Sequence, residues 1–453
     1  MKKIRAVGIL MALAAMLLAL TGCSMPKVTL NPEDLYSLPT LPAKYTELNT
    51  QISAILAGGA EYAAPTSGAN IQPVQLVDLN GDGREEAVAF FRNSKDEKPL
   101  KICIFAAEED TYRLMELIEG TGTGFYSIAY EDMDQDGRME LAVGWKATVE
   151  HQVLEVYALR PGGAEALVQA DYVKYTTLDL NQDGKKELVV IHADAEGEGV
   201  AEYYGWQEDG SLANQSSARI SVTMAELSQQ GRVTRGTLKE GIPALFVTGV
   251  TDTPRAITDI LAVRNGELTN IVLSEAYGVS SEIAPYRSLY PVDINGDGVT
   301  EVSNSIQLYS LTEDGISYER TDWYQYDSSG REAVVLRTYH NLEDSWYLRL
   351  PVDWLDRIWV SRSVAIDESA VTFYILEGSD GEVEPFLRIT AITGSSRENR
   401  AVRGGRFLLS RQDETIYTAE LLDANETWKY GVTPDEVREA FSLIMAEWSA
   451  GDY

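Results

Sequence analysis

Cysteine and histidine are nearly missing from this chain of 453 residues: there are two of the first and three of the second. His151, His192 and His340 sit in no H-E-x-x-H pattern and no paired Cys/His spacing, and there is no G-x-S-x-G elbow, so the common zinc and serine-nucleophile chemistries find no footing. His192 ends the apolar run ELVVIH and reads as structural. Basic residues are also scarce, 38 against 70 acids, for a net charge of −32. Nucleic-acid binding needs basic stripes, which this balance does not supply. Beyond the first 22 residues no apolar run approaches the ~20 residues a membrane-crossing helix needs.

The first residues, MKKIRAVGILMALAAMLLALTGC, combine a basic start, an apolar stretch and small residues, the pattern of a secretion signal over residues 1–22. Its end, LTGC, resembles the bacterial lipobox, which implies cleavage before Cys23, lipidation of Cys23 and anchorage on the outer face of the cytoplasmic membrane, in a cell of Gram-positive type. Cys103 is then the only thiol left, so no intramolecular disulfide forms; in LKICIF it reads as a small buried hydrophobe. Residues 23–59 read as a proline-marked tether followed by a short helix, in which Tyr45, Leu48, Ile52 and Ile55 recur at helical spacing until Gly58 and Gly59.

What the chain has in abundance is crowded acid. In LDLNQDGKKELVV, Asp179, Asn181 and Asp183 alternate, Gly184 follows and Glu187 opens an apolar run. Two carboxylates ~4 Å apart repel by roughly 1 kcal/mol in water and about 4 kcal/mol at a partly buried surface, so a cation is expected among them. Oxygens at positions 1, 3 and 5 with Gly at 6 are how loops hold Ca²⁺. An EF-hand would need its last acid at position 12, where Val190 stands, and a helix where a strand begins. This is a calcium-type loop set between strands.

The register recurs as DLNGDGREE from Asp78, DMDQDGRME from Asp132 and DINGDGVTE from Asp293. The steps between first positions are 54, 47 and 114, and the last is twice 57, which places a degenerate copy near residue 236. With Gly236 at position 1, Glu240 falls at 5, Gly241 at 6 and Ala244 at 9: the turn without the oxygens. Each unit of about 50 residues contains about four short apolar runs, the sign of a β-propeller blade or similar array. The expected fold is mostly β, a propeller-like array of about five four-stranded blades over residues 60–344.

On these loops the chain resembles the FG-GAP/VCBS-type propellers, the family of the integrin α-subunit head, with five detectable units against that head's seven blades. The resemblance implies up to four structural Ca²⁺ ions. Their ligands would be Asp78, Asn80, Asp82 and Glu86; Asp132, Asp134, Asp136 and Glu140; Asp179, Asn181, Asp183 and Glu187; and Asp293, Asn295, Asp297 and Glu301. Arg84, Arg138, Lys185 and Val299 would add backbone carbonyls.

Past Asp344 the period is lost, and residues 345–453 read as a small α+β module similar to tail modules of Gram-positive lipoproteins. TPDEVREAFSLIMAEW reads as its helix, capped by Thr433, Pro434 and Glu436, with Val437, Phe441, Ile444 and Trp448 on one face. Trp346, Trp354 and Trp359 are candidates for a ligand groove, with core packing as the plainer reading. The GTGTG at Gly120–Gly124 leads into a strand, so it reads as a hairpin turn and not as a phosphate cradle. No catalytic group stands out. The expected function is a non-catalytic, calcium-stabilised envelope lipoprotein that presents a propeller surface to a protein or glycan. The alternative is an exported hydrolase or lyase acting on glycans from a site in the propeller channel.

Overall fold

The computed structural model describes residues 43–108, 111–149, 151–250, 256–274, 276–280, 283–284, 290–310, 318–376 and 383–444. The signal, Cys23, the prolines of the tether and Trp448 lie outside them.

Strands dominate, and the first four repeats each form an antiparallel sheet of their own. The first is built from Val74–Val77, Glu86–Arg92, Leu100–Glu108 and Thr111–Gly120, and the second from Gly124–Glu131, Glu140–Lys146, Gln152–Arg160 and Gly163–Asp171. The third comprises Lys174–Leu178, Glu187–Ala193, Gly199–Trp206 and Leu212–Arg219, and the fourth Arg232–Thr237, Pro243–Val250, Ala256–Arg264 and Glu267–Asn270. In the fifth, an isolated bridge between Val292 and Glu301 stands where the first strand would be, followed by Val302–Ser310, Tyr318–Tyr326, Glu332–Asn341 and Trp346–Arg349. The expected mostly β, propeller-like array of five blades is what the chain forms.

The second strand of each sheet explains how the blades stack. Successive side chains of a strand point to opposite faces, and here both faces are covered. Val88 and Phe90 pack with Leu141, Val143 and Trp145 of the second sheet, while Ala87, Ala89 and Phe91 face the other way. Leu188 and Val190 join Ala142, whereas Val189 and Ile191 join Leu245 and Val247; Ala244 and Phe246 then face Val302 and Tyr326. Continuous apolar runs such as EAVAFFR and ELVVIHA therefore mark strands buried on both sides.

The ends of the stack are closed differently. Helix α1 (Ala43–Ala57) lays Leu48 and Ile52 on Ala87, Ala89, Phe91, Cys103, Phe105 and Tyr112. Burying the two side chains contributes roughly 3–6 kcal/mol. Among the described residues no core cluster joins the first sheet to the fifth. Burial also pushes the Cys103 thiol up to about 11, which suits a core hydrophobe.

At the other end the fifth sheet continues. Tyr309 and Ser310 pair in parallel with Trp359 and Val360, making one ten-stranded sheet that takes in Ile358–Ala365, Glu368–Leu376, Val383–Ile392, Ile416–Leu421 and Phe407–Arg411. The blade's last strand, Trp346–Arg349, runs past residue 344. Trp346 and Trp354 are buried in this module's core, so core packing accounts for them, whereas Trp359 is half-buried and stacks on the exposed Tyr309 at 5.0 Å.

Two local expectations need correction. The last helix carries the expected capping box of Thr433 and Glu436 with Pro434 at its start, but ends at Ala440. Phe441–Leu443 instead forms a strand on Trp346–Arg349, because that open edge offers backbone partners and Phe441 finds the Trp346 ring at 5.8 Å. Gly120–Gly124 is not a hairpin but the crossing from the first sheet to the second. Gly120 lies under Trp145, whose ring a Cβ would strike.

His340 is stacked on Tyr347 and within 2.8 Å of Thr338 Oγ1 through Nε2. Burial holds its pKa down at about 3. The unfolded chain therefore takes up a proton between roughly pH 6.5 and 3 that the fold refuses, so this residue's contribution falls as pH falls, by up to about 1.4 kcal/mol per unit. We expect His340→Phe to flatten the loss of urea stability between pH 6.5 and 4 relative to the parent; parallel curves would refute the assignment.

Candidate metal-binding loops

Each of the four acidic loops joins the first and second strands of its blade, or, in the fifth, the bridge that replaces the first. A glutamate at position 9 starts the second strand, or in the fifth blade directly precedes it, and turns inward: Glu86, Glu140, Glu187 and Glu301 are at most 5 % exposed. One oxygen of each accepts the backbone N–H of position 2, from Leu79 (2.9 Å), Met133 (2.9 Å), Leu180 (2.8 Å) and Ile294 (3.0 Å). The position-2 side chains are themselves buried, which pins the loop from below.

The aspartates fold the rest of the bend. The Gly at position 6 donates to the position-1 carboxylate in every copy, at 2.8–3.0 Å for Gly83, Gly137, Gly184 and Gly298. The position-7 amide donates to the position-5 carboxylate at 2.8–2.9 Å. Positions 4 and 6 both lie in the left-handed region, with φ of +60° at Gln135 and +87° at Gly137 for example. That requirement explains the glycine at 6.

The expected ligands do converge. Asp132, Asp134 and Asp136; Asp179, Asp183 and Glu187; and Asp293, Asp297 and Glu301 each bring one oxygen apiece within 4.8 Å of the others. In the first loop Asn80 Nδ2 reaches Glu86 Oε1 at 3.1 Å. Burial is the largest influence on the glutamates, pushing Glu140, Glu187 and Glu301 up to about 7 against the pull of their backbone bonds, with nearby aspartates adding to the rise; Glu86 is raised in the same way. Glu187 Oε1 and Asp132 Oδ1 are buried without any hydrogen-bond partner. A buried unpaired carboxylate oxygen is costly, and each lies in a cluster made only of oxygen ligands. Such a donor set fits Ca²⁺ and lacks the nitrogen and sulfur that zinc sites use.

The degenerate copy is confirmed as a loop, with one change of register. Leu238 is the buried residue that matches position 2, and Glu240, at φ +62°, matches position 4. Position 1 is therefore Thr237 and not Gly236, and the loop is one residue shorter, with Gly241 following directly on position 4. Ala244 replaces the glutamate, and Leu238 N–H finds Ile242 O at 2.7 Å instead.

A link not foreseen from the sequence joins the loops. The position-8 amide of one loop donates to a carbonyl of the loop before it: Met139 to Leu79 (2.9 Å), Lys186 to Met133 (2.7 Å) and Thr300 to Thr237 (2.8 Å). The fourth loop has Pro243 there, with no N–H to give, and is joined to the third by Gln182 Nε2 on Gly241 O at 2.9 Å. All five bends thus form one row. Also unforeseen, Gln325 on Tyr318–Tyr326 reaches into the fifth loop. Its only trace in the sequence is a polar residue where the other blades have Ala or Gly.

No family model matches the chain, and no curated protein does. Solved structures to which it is similar include a Lactobacillus plantarum protein (10 % identity, 72 % of this chain and 86 % of that one, TM-score 0.26). Sqt1 of Saccharomyces cerevisiae is another (10 % identity, 75 % and 84 %, TM-score 0.28). A third is a candidate 6-phosphogluconolactonase of Bacteroides fragilis (11 % identity, 71 % and 84 %, TM-score 0.25). At these scores none bears on what this protein does.

If position 9 anchors the bend, Glu187→Ala should cost about 1–3 kcal/mol in the presence of chelator, because Leu180 N–H is left buried and unpaired. Urea titration would show it, and an unchanged midpoint would contradict the anchoring role.

Proposed function

We propose that the four acidic loops bind Ca²⁺ and that the ions brace a propeller-like array of the FG-GAP/VCBS type. We read the whole chain as an exported, lipid-anchored envelope protein that carries out no reaction and offers its surface to a protein or glycan. The observation that carries the calcium reading is Glu187 Oε1, buried and unpaired beside Asp179 and Asp183. A cation among these oxygens would relieve both the desolvation and the mutual repulsion of the acids.

The ligands would be the side chains at positions 1, 3, 5 and 9 of each intact loop, Asp78 to Glu86, Asp132 to Glu140, Asp179 to Glu187 and Asp293 to Glu301. Extracellular modules bind Ca²⁺ at about 10⁻⁴ to 10⁻³ M. At about 1 mM calcium each site would then add roughly 0.4–1.4 kcal/mol. Near-identical loops repeated in separate blades suit bracing, whereas catalysis wants one asymmetric pocket. The lipobox-like LTGC supports placement outside the cell, where calcium is plentiful, and Cys23 would carry the membrane anchor.

Thermal melts of the full chain with calcium or chelator test the metal. Calcium should raise the midpoint, Asp179→Ala should remove about a quarter of that rise, and Glu240→Ala should leave it whole. Superimposable melts in calcium and chelator would end the proposal. For the binding role, passage over immobilised envelope glycan should give retention without release of reducing ends; release would favour the hydrolase or lyase.

A further inference from the structure

The fifth loop differs from the other three intact loops in what its carboxylates touch. Gln325, 6 % exposed, donates through Nε2 to Asp297 Oδ2 at 2.8 Å and to Glu301 Oε1 at 2.7 Å. The same two oxygens receive Asn295 Nδ2, each at 3.0 Å. Burial pushes Asp297 up, but the bonds from Val299 N–H, Gln325 and Asn295 outweigh it and hold the carboxyl below its usual range. By contrast the second and third loops each leave a buried oxygen with no partner, Asp132 Oδ1 and Glu187 Oε1.

Strand register explains why only this loop is served. Val302 pairs with Tyr324, so the next step along the ladder sets Glu301 opposite Gln325. The equivalent steps set Glu86 opposite Ala106, Glu140 opposite Ala158 and Glu187 opposite Gly205. The short fourth loop has Ala262 opposite Ala244. A side chain long enough to enter the loop from the third strand of the repeat occurs once in five blades, and it is a carboxamide.

We propose that Gln325 is a built-in stand-in for the cation of the fifth loop, an inference that rests on the calcium reading above. Its NH₂ group offers two donors to two carboxylates and holds them together when no ion is present. It carries no full charge, so it satisfies the oxygens without neutralising them, and an ion at sufficient concentration displaces it. The displacement has to break hydrogen bonds to charged acceptors, among the stronger of their kind. The fifth loop is therefore the last of the four to fill.

Calorimetric titration of the full chain with calcium, paired with melts in chelator, tests this. The parent should show a weakest step separable from the rest. Gln325→Ala should tighten that step about ten-fold and lower the midpoint in chelator. Gln325→Glu, which cannot donate and adds a charge, should tighten the same step and lower the chelator midpoint further. A weakest step unmoved or weakened by Gln325→Ala, or an unchanged chelator melt, overturns the stand-in while leaving the calcium reading standing. No calcium heat in the parent overturns both. Failure of both variants to fold even at millimolar calcium also overturns it, because a stand-in is dispensable once the ion is there.

Discussion

A carboxylate held out of water at the ninth position of each acidic loop is the constraint around which the blades are organised. A glutamate buried to this degree needs compensation, and Glu86, Glu140, Glu187 and Glu301 each obtain half of it from one backbone amide. That bond fixes where the bend ends and the second strand begins, and the second strand is the element packed on both faces. The other oxygen is what distinguishes the loops. It meets an amide in the first and fifth and has no partner in the third.

Because a position-8 amide reaches back to the preceding loop, this local constraint becomes a collective one. The alternation of side chains in each second strand already sets one blade on the next, and the loop-to-loop bonds fasten the same blades at one end. Gly81 belongs to this arrangement: a Cβ there would collide with the Gly137 carbonyl of the neighbouring loop. An ion in one loop would thus stiffen a bend that is bonded to its neighbour. The apolar ends of the stack are met by two devices, helix α1 on the first sheet and the ten-stranded sheet at the last. Both remove faces or edges that would otherwise invite association.

Much of this was legible in the residues. The period of the D-x-[DN]-x-D-G loops locates the blades, and the same spacing places the degenerate copy to within one residue. Leu48 and Ile52 announced a helix, and its apolar face is the one that packs. What the residues alone do not carry is the information held in strand pairing. Whether Phe441–Leu443 continues a helix or completes a sheet is decided by the free edge of Trp346–Arg349, which lies 92 residues or more upstream in the chain. The significance of Gln325 likewise appears only once the register sets it against Glu301.

The fourth loop shows which properties of the motif belong to the turn and which to the acids. It has lost the glutamate, one residue and the position-8 amide, yet its bend keeps a left-handed residue at position 4 and a left-handed glycine after it. The loss of Glu→Ala is tolerated there because the shorter loop brings Ile242 O to Leu238 N–H, so no amide is stranded. The shortened turn therefore forms without acids. In the other four loops the carboxylates do accept backbone N–H groups, but those bonds use only part of their oxygens and leave the repulsion among them in place. Their presence in four of five blades, with oxygens left unpaired in two, is an argument that they answer to something positively charged.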